Sequence, residues 1–223
     1  RARCNAGGTL GVVRCGIAPS RMIEALKAAA HRDVSRETFA LVEAYVELLR
    51  AESERQNLIA PSTVEAVWDR HILDSAQLVR FEPRRGASWA DIGSGAGLPG
   101  WIVALLTDGP ITLIEPRRLR AEFLRAAVQQ LGLSERVRTH CEKVERISGT
   151  FDVITARAVA SLDGLLAISH HLSTNETVWI LPKGRNAQSE LAQADRNWQC
   201  ETRVEQSCTD PDSGILVLTR VGA

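Results

Sequence analysis

The sequence predicts an α/β fold, in which a mostly parallel seven-stranded sheet ends in an antiparallel hairpin and follows a small N-terminal helical cap. Three observations support this prediction. Apolar residues recur at helical spacing up to about residue 81, and short apolar runs then alternate with helical stretches. The last two apolar runs are separated by a turn alone, which is typical of a hairpin.

The helical cap is predicted over residues 22–82. Ser35 has the position of an N-cap before four apolar residues that recur every three or four positions. These residues are Phe39, Val42, Val46 and Leu49. Further along, Ser62 and Glu65 have the spacing of a capping box, in which each side chain accepts the other residue's backbone N–H. We expect two or three helices here, one of them beginning near Ser62.

The sheet and its helices are predicted over residues 83–223. The strands are expected at Ser88–Ile92, Ile111–Glu115, Val137–Cys141, Phe151–Ala156, Val178–Leu181, Glu201–Ser207 and Ile215–Arg220. The helices are expected at Pro99–Leu106, Leu119–Leu131, Leu162–His171 and Ala187–Trp198. Strands that alternate with helices indicate a parallel sheet covered on both faces. The closing hairpin is a feature that plain dinucleotide-binding domains usually lack.

Composition excludes several classes of protein. The 27 Lys and Arg balance 27 Asp and Glu, so the chain lacks the cationic excess of a protein that coats nucleic acid. The longest apolar run, Trp101 to Leu106, is too short to span a membrane. The five cysteines include no CxxC pair, and no cluster has metal-ligand spacing, which argues against disulfides and bound metal. We expect a cytoplasmic protein.

Residues 1–21 differ from the rest of the chain. They contain four Arg and no Asp or Glu, and Met22, the only methionine, follows them directly. We interpret them as an upstream or non-native extension before a natural start at Met22. An organellar transit peptide is the alternative, since such peptides are rich in Arg and poor in acids. Residues 22–223 alone carry 23 Lys and Arg against 27 Asp and Glu, and are slightly acidic.

A glycine-rich loop follows the first predicted strand, with the sequence Asp91-Ile92-Gly93-Ser94-Gly95-Ala96-Gly97-Leu98-Pro99-Gly100. Its GxGxxG spacing is a weak indication of a dinucleotide, because a pyrophosphate needs a helix N-terminus without a fixed negative charge nearby. Asp91 at the strand end instead suits a cofactor with a cationic amino group, such as S-adenosylmethionine. The simpler alternative is that Asp91 only caps the turn.

Glu115 ends the second predicted strand, about twenty residues after the glycine loop. A carboxylate at this place accepts both hydroxyls of an adenosine ribose. NAD and S-adenosylmethionine share that ribose, so Glu115 does not distinguish between them. A solvated glutamate at a strand end is the alternative.

Cationic side chains are expected at the mouth of the crevice that the strand ends form. Arg157 follows the fourth strand and Lys183 the fifth, and ligands of open parallel sheets bind at these carboxyl ends. Arg70 and His71 lie late in the cap. The alternatives are a helical ion pair between Arg70 and Asp74, and solvated loop cations at the other two positions.

A local basic patch is predicted on the helix after the second strand. Its residues are Arg117, Arg118, Arg120 and Arg125. Guanidinium groups bind phosphate bidentately and stack on bases, so a confined RNA contact is reasonable. An exposed basic helix face without a ligand is the alternative.

Together these sequence motifs resemble those of the bacterial small-subunit ribosomal RNA guanine-N7 methyltransferase family, RsmG or GidB. The resemblance runs from about residue 35 to 220 and does not include residues 1–21. It is carried by Asn57-Leu58, Arg70–Ser75, Asp91–Gly100, Phe123-Leu124-Arg125, Phe151-Asp152, Arg157–Leu162 and Leu181–Gly184.

This resemblance implies a class I methyltransferase (Rossmann-like) fold and S-adenosyl-L-methionine as the cofactor. It implies cofactor contacts from Gly93 and Leu98, from Val144 and Glu145 after the third strand, and from Arg157. Together with the loop and strand-end positions, the expected cofactor-binding residues are Asp91, Gly93, Gly95, Gly97, Leu98, Glu115, Val144, Glu145 and Arg157.

The implied reaction is methylation of guanine N7 in 16S rRNA, within the 30S subunit or an assembly intermediate, by a monomer. N7 carries no proton, so the transfer is expected to be in line and to need no general base. Arg157 is expected to orient cofactor and base, while Arg70, His71 and Lys183 hold RNA. The competing classes are an NAD-dependent oxidoreductase and a non-catalytic RNA-binding or ribosome-assembly factor.

Overall fold

The computed structural model describes residues 18–194 and 197–222. In this part of the chain the strands form one seven-stranded sheet with the order β3-β2-β1-β4-β5-β7-β6. Their bounds are β1 Trp89–Ile92, β2 Ile111–Ile114, β3 Val137–His140, β4 Val153–Ala156, β5 Val178–Lys183, β6 Gln199–Gln206 and β7 Gly214–Gly222. Strands β1 to β5 are parallel, and β7 is antiparallel to β5 and β6. The predicted parallel sheet with a closing hairpin is therefore confirmed.

The helices separate into a cap and a set of sheet helices. The cap contains α1 Pro19–Ala30, α2 Arg36–Gln56 and a continuous helical segment made of a π-helix at Trp68–Leu73, α3 at Asp74–Ala76 and a 3₁₀-helix at Gln77–Phe81. The sheet helices are α4 Gly100–Leu106, α5 Arg118–Gln130, α6 Leu162–Ser169 and α7 Ala187–Ala194. Short 3₁₀ turns lie at Pro61–Thr63, Val144–Arg146 and His170–Leu172.

Two hydrophobic cores cover the two faces of the sheet. Side chains alternate along each strand, so in β1 Trp89 joins one core while its neighbour Ala90 joins the other. The cap, α4 and α5 pack on the first face, and α6 and α7 pack on the second. Because both faces are covered, the central strands are mostly apolar and show no regular alternation with polar residues.

The cap agrees with prediction at its start and differs further along. Ser35 is the N-cap of α2, and its Oγ accepts the backbone N–H of Thr38 at 3.1 Å. The capping box at Ser62 and Glu65 is wrong, because no α-helix begins there. Instead the backbone N–H and the hydroxyl of Thr63 both donate to the Ala60 carbonyl, which closes a 3₁₀ turn.

The first turn of α1 begins at Pro19, ahead of Met22. Residues 19–21 of the expected extension therefore belong to a helix, and residues 1–17 lie outside the described residues. Within the described ranges, no helix is long and apolar enough to cross a membrane. The same residues contain no group of three or more His, Cys, Asp or Glu placed to hold a metal ion.

Candidate active site

Most of the residues predicted for the site lie along one edge of the sheet, where the parallel strands end. Strand order reverses between β1 and β4, and ligands of open α/β sheets bind at such a switch point. The residues that follow neighbouring strands there are Val144 after β3, Glu115 after β2, the glycine loop after β1, Arg157 after β4 and Lys183 in β5. The topology therefore brings together residues that are distant in the chain.

The glycine loop needs its glycines for backbone shape and for close packing. Gly93, Gly95 and Gly97 all have positive φ, between 56° and 87°, which side chains disfavour. A Cβ on Gly97 would also lie 2.8 Å from Leu124 Cδ2. The cap holds this loop through Tyr45, which is buried and donates its hydroxyl to the Ala96 carbonyl.

Asp91 lies beneath this loop and is only 1% exposed. Its Oδ2 accepts the Gly100 backbone N–H at 3.1 Å, at the first residue of α4. Its Oδ1 is also buried and has no hydrogen-bond partner among the described residues. Asp91 thus caps the helix with one oxygen, as the simpler alternative required, while its other oxygen stays without a partner in this part of the chain. A negative charge at this helix start disfavours the pyrophosphate of NAD.

The pKa of Asp91 is raised to about 7, chiefly by burial and to a smaller extent by the nearby Glu115 charge. Hydrogen bonds from Ser94 and Gly100 and the positive charge of Arg157 act in the opposite direction. A buried carboxyl of this kind takes up a proton unless a cation pairs with it. The unpaired Oδ1 therefore fits the cationic amino group of S-adenosylmethionine.

Glu115 and Val144 occupy the neighbouring strand ends. Glu115 is 3% exposed, and its Oε2 and Oε1 accept the N–H groups of Gly95 and Arg117, each at 2.8 Å. Each carboxylate oxygen can accept a second hydrogen bond, as the ribose hydroxyls would require. Val144 is buried and Glu145 exposed in the turn after β3. These positions fit the predicted ribose and adenine contacts.

Leu98 differs from its neighbours in the loop. Its side chain is 3% exposed and belongs to the hydrophobic core beneath the sheet edge. Only its backbone remains for the cofactor contact that was expected of it.

Arg157 joins the sheet edge to the cap. Its Nη1 lies 3.2 Å from His71 Nδ1 and 3.7 Å from Asp74 Oδ2. The alternative interpretation, a helical ion pair between Arg70 and Asp74, is wrong, because Arg70 instead lies 3.5 Å from Asp210 Oδ2. Arg70 lies in the π-helix, whose wider turn changes the α-helical alignment of residues four apart.

His71 is held on both ring nitrogens, because its Nε2 is 3.0 Å from Thr63 Oγ1 while Nδ1 faces Arg157. Burial, together with the charges of Arg157 and Arg70, lowers the pKa of His71 to about 4. The ring is therefore neutral at pH 7. The expected role of His71 in holding RNA stays a prediction, and a neutral ring also fits a role in positioning Arg157.

Lys183 pairs with a carboxylate of the protein, and its expected contact with RNA stays a prediction. Its Nζ lies 2.8 Å from Glu190 Oε2 and 3.4 Å from the Ala160 carbonyl, and its side chain is only 11% exposed. The same Glu190 oxygen accepts the Leu162 N–H at 3.0 Å. Lys183 therefore anchors the loop between β4 and α6, and its charge is already paired inside the protein.

That loop lies against the glycine turn through Val159, a residue that sequence reasoning missed. A Cβ on Gly93 would lie 2.5 Å from Val159 Cγ2, although Val159 itself is 38% exposed. The preceding residue, Ala158, has a φ of 55°, which is uncommon for a side-chain residue. A positive φ of this kind leaves no signal in the sequence.

The four arginine side chains of the basic patch point in two different directions. Arg117, Arg118 and Arg125 are exposed, although Arg118 lies 3.4 Å from Glu122 on the same helix. Arg120 instead reaches over the glycine loop, where its Nη1 would lie 3.5 Å from a Cβ on Gly95. Three of the four predicted residues therefore face solvent, and Arg120 faces the glycine loop.

The sequence suggested only one role for Asp74, a helical ion pair with Arg70, and the structure instead places Asp74 in the site. It lines a cavity of about 130 Å³ together with Arg157, Lys183 and Ser207. It also lines a second cavity with Arg70, His71 and Asp210. The motif Arg70–Ser75, which includes Asp74, pointed to this region in the sequence. Only the fold shows that Arg157 is the cation that faces the Asp74 carboxylate.

Known proteins are similar to this chain in sequence and in fold. The family model of GidB, rRNA small subunit methyltransferase G, matches residues 38–214. The ribosomal RNA small subunit methyltransferase G of Zymomonas mobilis is 46% identical over 200 residues, covering 86% of this chain and 90% of the relative. The protein of the same name from Sphingopyxis alaskensis is 49% identical over 187 residues, covering 83% and 80%.

Solved structures show the fold at low sequence identity. A SAM-dependent methyltransferase from Aquifex aeolicus has a TM-score of 0.56 at 14% identity, covering 75% of this chain and 96% of that chain. The ribosomal protein L11 methylase of Lactobacillus delbrueckii subsp. bulgaricus has a TM-score of 0.52 at 16% identity, covering 68% and 78%. The fold is that of a class I methyltransferase, and the chain belongs to the rRNA small subunit methyltransferase G family.

Proposed function

We propose that this methyltransferase uses S-adenosylmethionine to methylate N7 of a guanine in 16S rRNA, within the 30S subunit or an assembly intermediate. The observation that carries the proposal is the buried Asp91 carboxylate beside the glycine turn, whose Oδ1 is unpaired within the described part of the chain. The rRNA substrate follows from the names of the relatives. We further propose that the enzyme acts as a cytoplasmic monomer.

The residues that would hold the cofactor follow the strand ends. Asp91 pairs with the cationic amino group, Glu115 accepts the ribose hydroxyls, and the turn at Val144 and Glu145 borders the adenine. The positive φ of Gly93, Gly95 and Gly97 lets the backbone approach closely without a Cβ in the way. When bound, the cofactor supplies a methyl group on a cationic sulfur, which guanine N7 accepts in line.

The remaining work of the site is positioning. Guanine N7 has an in-plane lone pair and no proton, so no side chain needs to act as a general base. Arg157 orients the base and is itself held by His71 and Asp74 at 3.2 and 3.7 Å. A fixed cation of this kind lowers the barrier through preorganised geometry and charge.

Tritium transfer from labelled S-adenosylmethionine tests the proposal directly. Purified 30S subunits and free 16S rRNA are both offered, and the methylated base is mapped by strand cleavage at 7-methylguanine. We expect one labelled guanine. Arg157→Ala should lower the transfer rate about 100-fold, because small misplacements cost that much. The control is Arg85→Ala, an exposed arginine before β1 at the opposite end of the strands.

Retention of full transfer by Arg157→Ala would remove this residue from the mechanism. Binding of NADH in place of S-adenosylmethionine would revive the oxidoreductase alternative. Binding of RNA without any cofactor binding would instead support a non-catalytic assembly factor.

We also propose that Arg117, Arg118 and Arg125 contact RNA phosphates. Replacing Arg118 or Arg125 by Gln should reduce the slope of log affinity against log salt by about 0.7 to 0.9 for each phosphate that the variant no longer neutralises. The Arg85→Gln variant carries the same charge change far from the site and should leave the slope unchanged. Equal slopes in all three variants would assign the patch to a solvated helix face.

A further inference from the structure

We propose that Asp74, acting beside Arg157, selects guanine over adenine by reading the edge of the base that carries O6 and N1. This inference rests on the proposed function and names a specificity residue for it. Asp74 was expected at most to pair with Arg70, and the fold turns it toward Arg157 and the cavity at the end of β5.

One oxygen of Asp74 is fully engaged and the other is available. Oδ1 accepts hydrogen bonds from Gln77 Nε2 at 2.9 Å and from Thr209 Oγ1 at 3.0 Å. Oδ2 lies 3.7 Å from Arg157 Nη1, which is longer than a hydrogen bond, and accepts none from the described residues. The Asp74 side chain is 20% exposed, so this oxygen is open to a ligand.

The carboxylate is held in place by a buried network that joins the cap to the hairpin. Gln77 is fully buried, and its amide also donates to Ser207 Oγ at 3.1 Å. Its carbonyl oxygen accepts the Cys208 backbone N–H at 2.9 Å. Because both ends of the Gln77 amide are fixed, Oδ2 of Asp74 has a defined position, as a specificity residue requires.

The order of charges across the site matches the order of groups on guanine. Arg157 follows β4, whose Thr155 pairs with Asp91 of β1, and its Nη1 lies 3.2 Å from His71 in the cap, so it lies between the cofactor end and the cap. Asp74 is on the cap side of Arg157. In guanine, N7 is followed around the ring by O6, an acceptor, and then by N1–H, a donor. With N7 toward the cofactor, O6 faces the arginine and N1–H faces the free carboxylate oxygen.

Adenine reverses this pattern. It has an amino group in place of O6 and an unprotonated N1, so its donor would face Arg157 and its lone pair would face Asp74. Two like groups would then oppose each other in a partly enclosed cavity, where unpaired polar groups are costly. A site built on hydrogen bonds rejects a base that lacks the matching groups far more strongly than a site built on shape alone.

The alternative is that Asp74 only positions Arg157. A variant at Asp74 that changes the preference for guanine over adenine distinguishes base recognition from this positioning role. The variant is Asp74→Asn, which keeps an acceptor for Gln77 and Thr209 and turns the free oxygen into a donor. The matched control is Asp69→Asn, an exposed residue in the same helical segment. Each protein is tested on small-subunit RNA with guanine or adenine at the mapped target.

The wild type should prefer guanine, and Asp74→Asn should reduce the guanine-to-adenine ratio of kcat/KM about 10- to 100-fold. Its Kd for S-adenosylmethionine should stay within about twofold, which also shows that the variant is folded. Asp74→Glu keeps the carboxylate and should lose rate while retaining the guanine preference. An Asp74→Asn enzyme that is slow but keeps the full ratio would overturn the inference in favour of a positioning role.

A binding measurement distinguishes this failure from failure of the proposed function. Guanosine and adenosine monophosphate are titrated into each protein in the presence of S-adenosylhomocysteine. A guanine preference that Asp74→Asn abolishes supports the inference even if no RNA is methylated, in which case only the proposed substrate is wrong. Equal binding of the two nucleotides by the wild type, or a preference that survives Asp74→Asn, would overturn it.

Discussion

Replacing Asp91 by Asn should make the cofactor-free protein more stable at alkaline pH while it weakens cofactor binding. Burial raises the pKa of Asp91 from 3.8 to about 7. The folded state therefore holds this proton more tightly than the unfolded state does. The resulting contribution to stability is complete below about pH 4 and is lost as the pH rises through 7, where a charged carboxylate must remain buried.

The magnitude follows from the size of the pKa shift. A shift of roughly three units corresponds to about 4 kcal/mol in the free energy of unfolding. About 2.5 kcal/mol of this lies between pH 5 and pH 8, where most small-domain proteins remain folded. Asn cannot ionise, yet it still presents an oxygen to the Gly100 N–H. The stability of the wild type relative to Asp91→Asn should therefore fall by about 2.5 kcal/mol over this range.

Urea unfolding at several pH values, followed by fluorescence of the five Trp residues, measures this difference. Because all other titrating groups are common to both proteins, the difference between the curves isolates Asp91. A difference that stays constant from pH 5 to pH 8 would refute the reasoning about burial. The affinity of the wild type for S-adenosylmethionine should also weaken up to tenfold per pH unit below 7, since the carboxyl must lose its proton to pair with a cation.

Three further predictions concern the residues around the site. Gly97→Ala should cost about 2 to 4 kcal/mol of stability, through its positive φ and the crowded space around its Cβ. Gly132→Ala, with a φ of 69° and nothing within 4 Å, should cost only about 1 kcal/mol in the same urea assay. Tyr45→Phe should cost about 1 to 3 kcal/mol by leaving the Ala96 carbonyl unpaired, and calorimetry should show weaker cofactor binding. Lys183→Met should lower the melting temperature and leave the salt dependence of RNA binding unchanged, because Glu190 already pairs the ammonium; a reduced salt slope would instead return Lys183 to the RNA interface.

The sheet was predictable because its signals are local. A buried parallel strand is a short apolar run, and a glycine loop between a strand and a helix has few interpretations. All seven strands accordingly lie within a few residues of their predicted positions. The capping box failed because a single four-residue pattern competed with the turn that Thr63 forms with Ala60.

The chemical states of the site residues were not predictable in the same way. The sequence does not show whether the His71 ring is protonated or neutral. Its low pKa depends on burial and on Arg157, which lies 86 positions further along the chain. Lys183 has the sequence position of a solvated loop cation, and only the fold brings Glu190 to within 2.8 Å of it. Such partners come from elements that no local pattern connects.

The sequence by itself therefore determined which segments form strands and helices, the position of the glycine loop and the family, since each is carried by short motifs whose residues are close together in the chain. Only the tertiary structure decided which oxygen of Asp91 remains unpaired and which cation faces Asp74. The physical reason is that burial and charge pairing depend on distances in space. Those distances are set when the cap, the sheet edge and the hairpin turn pack together around the ends of β1, β4 and β5.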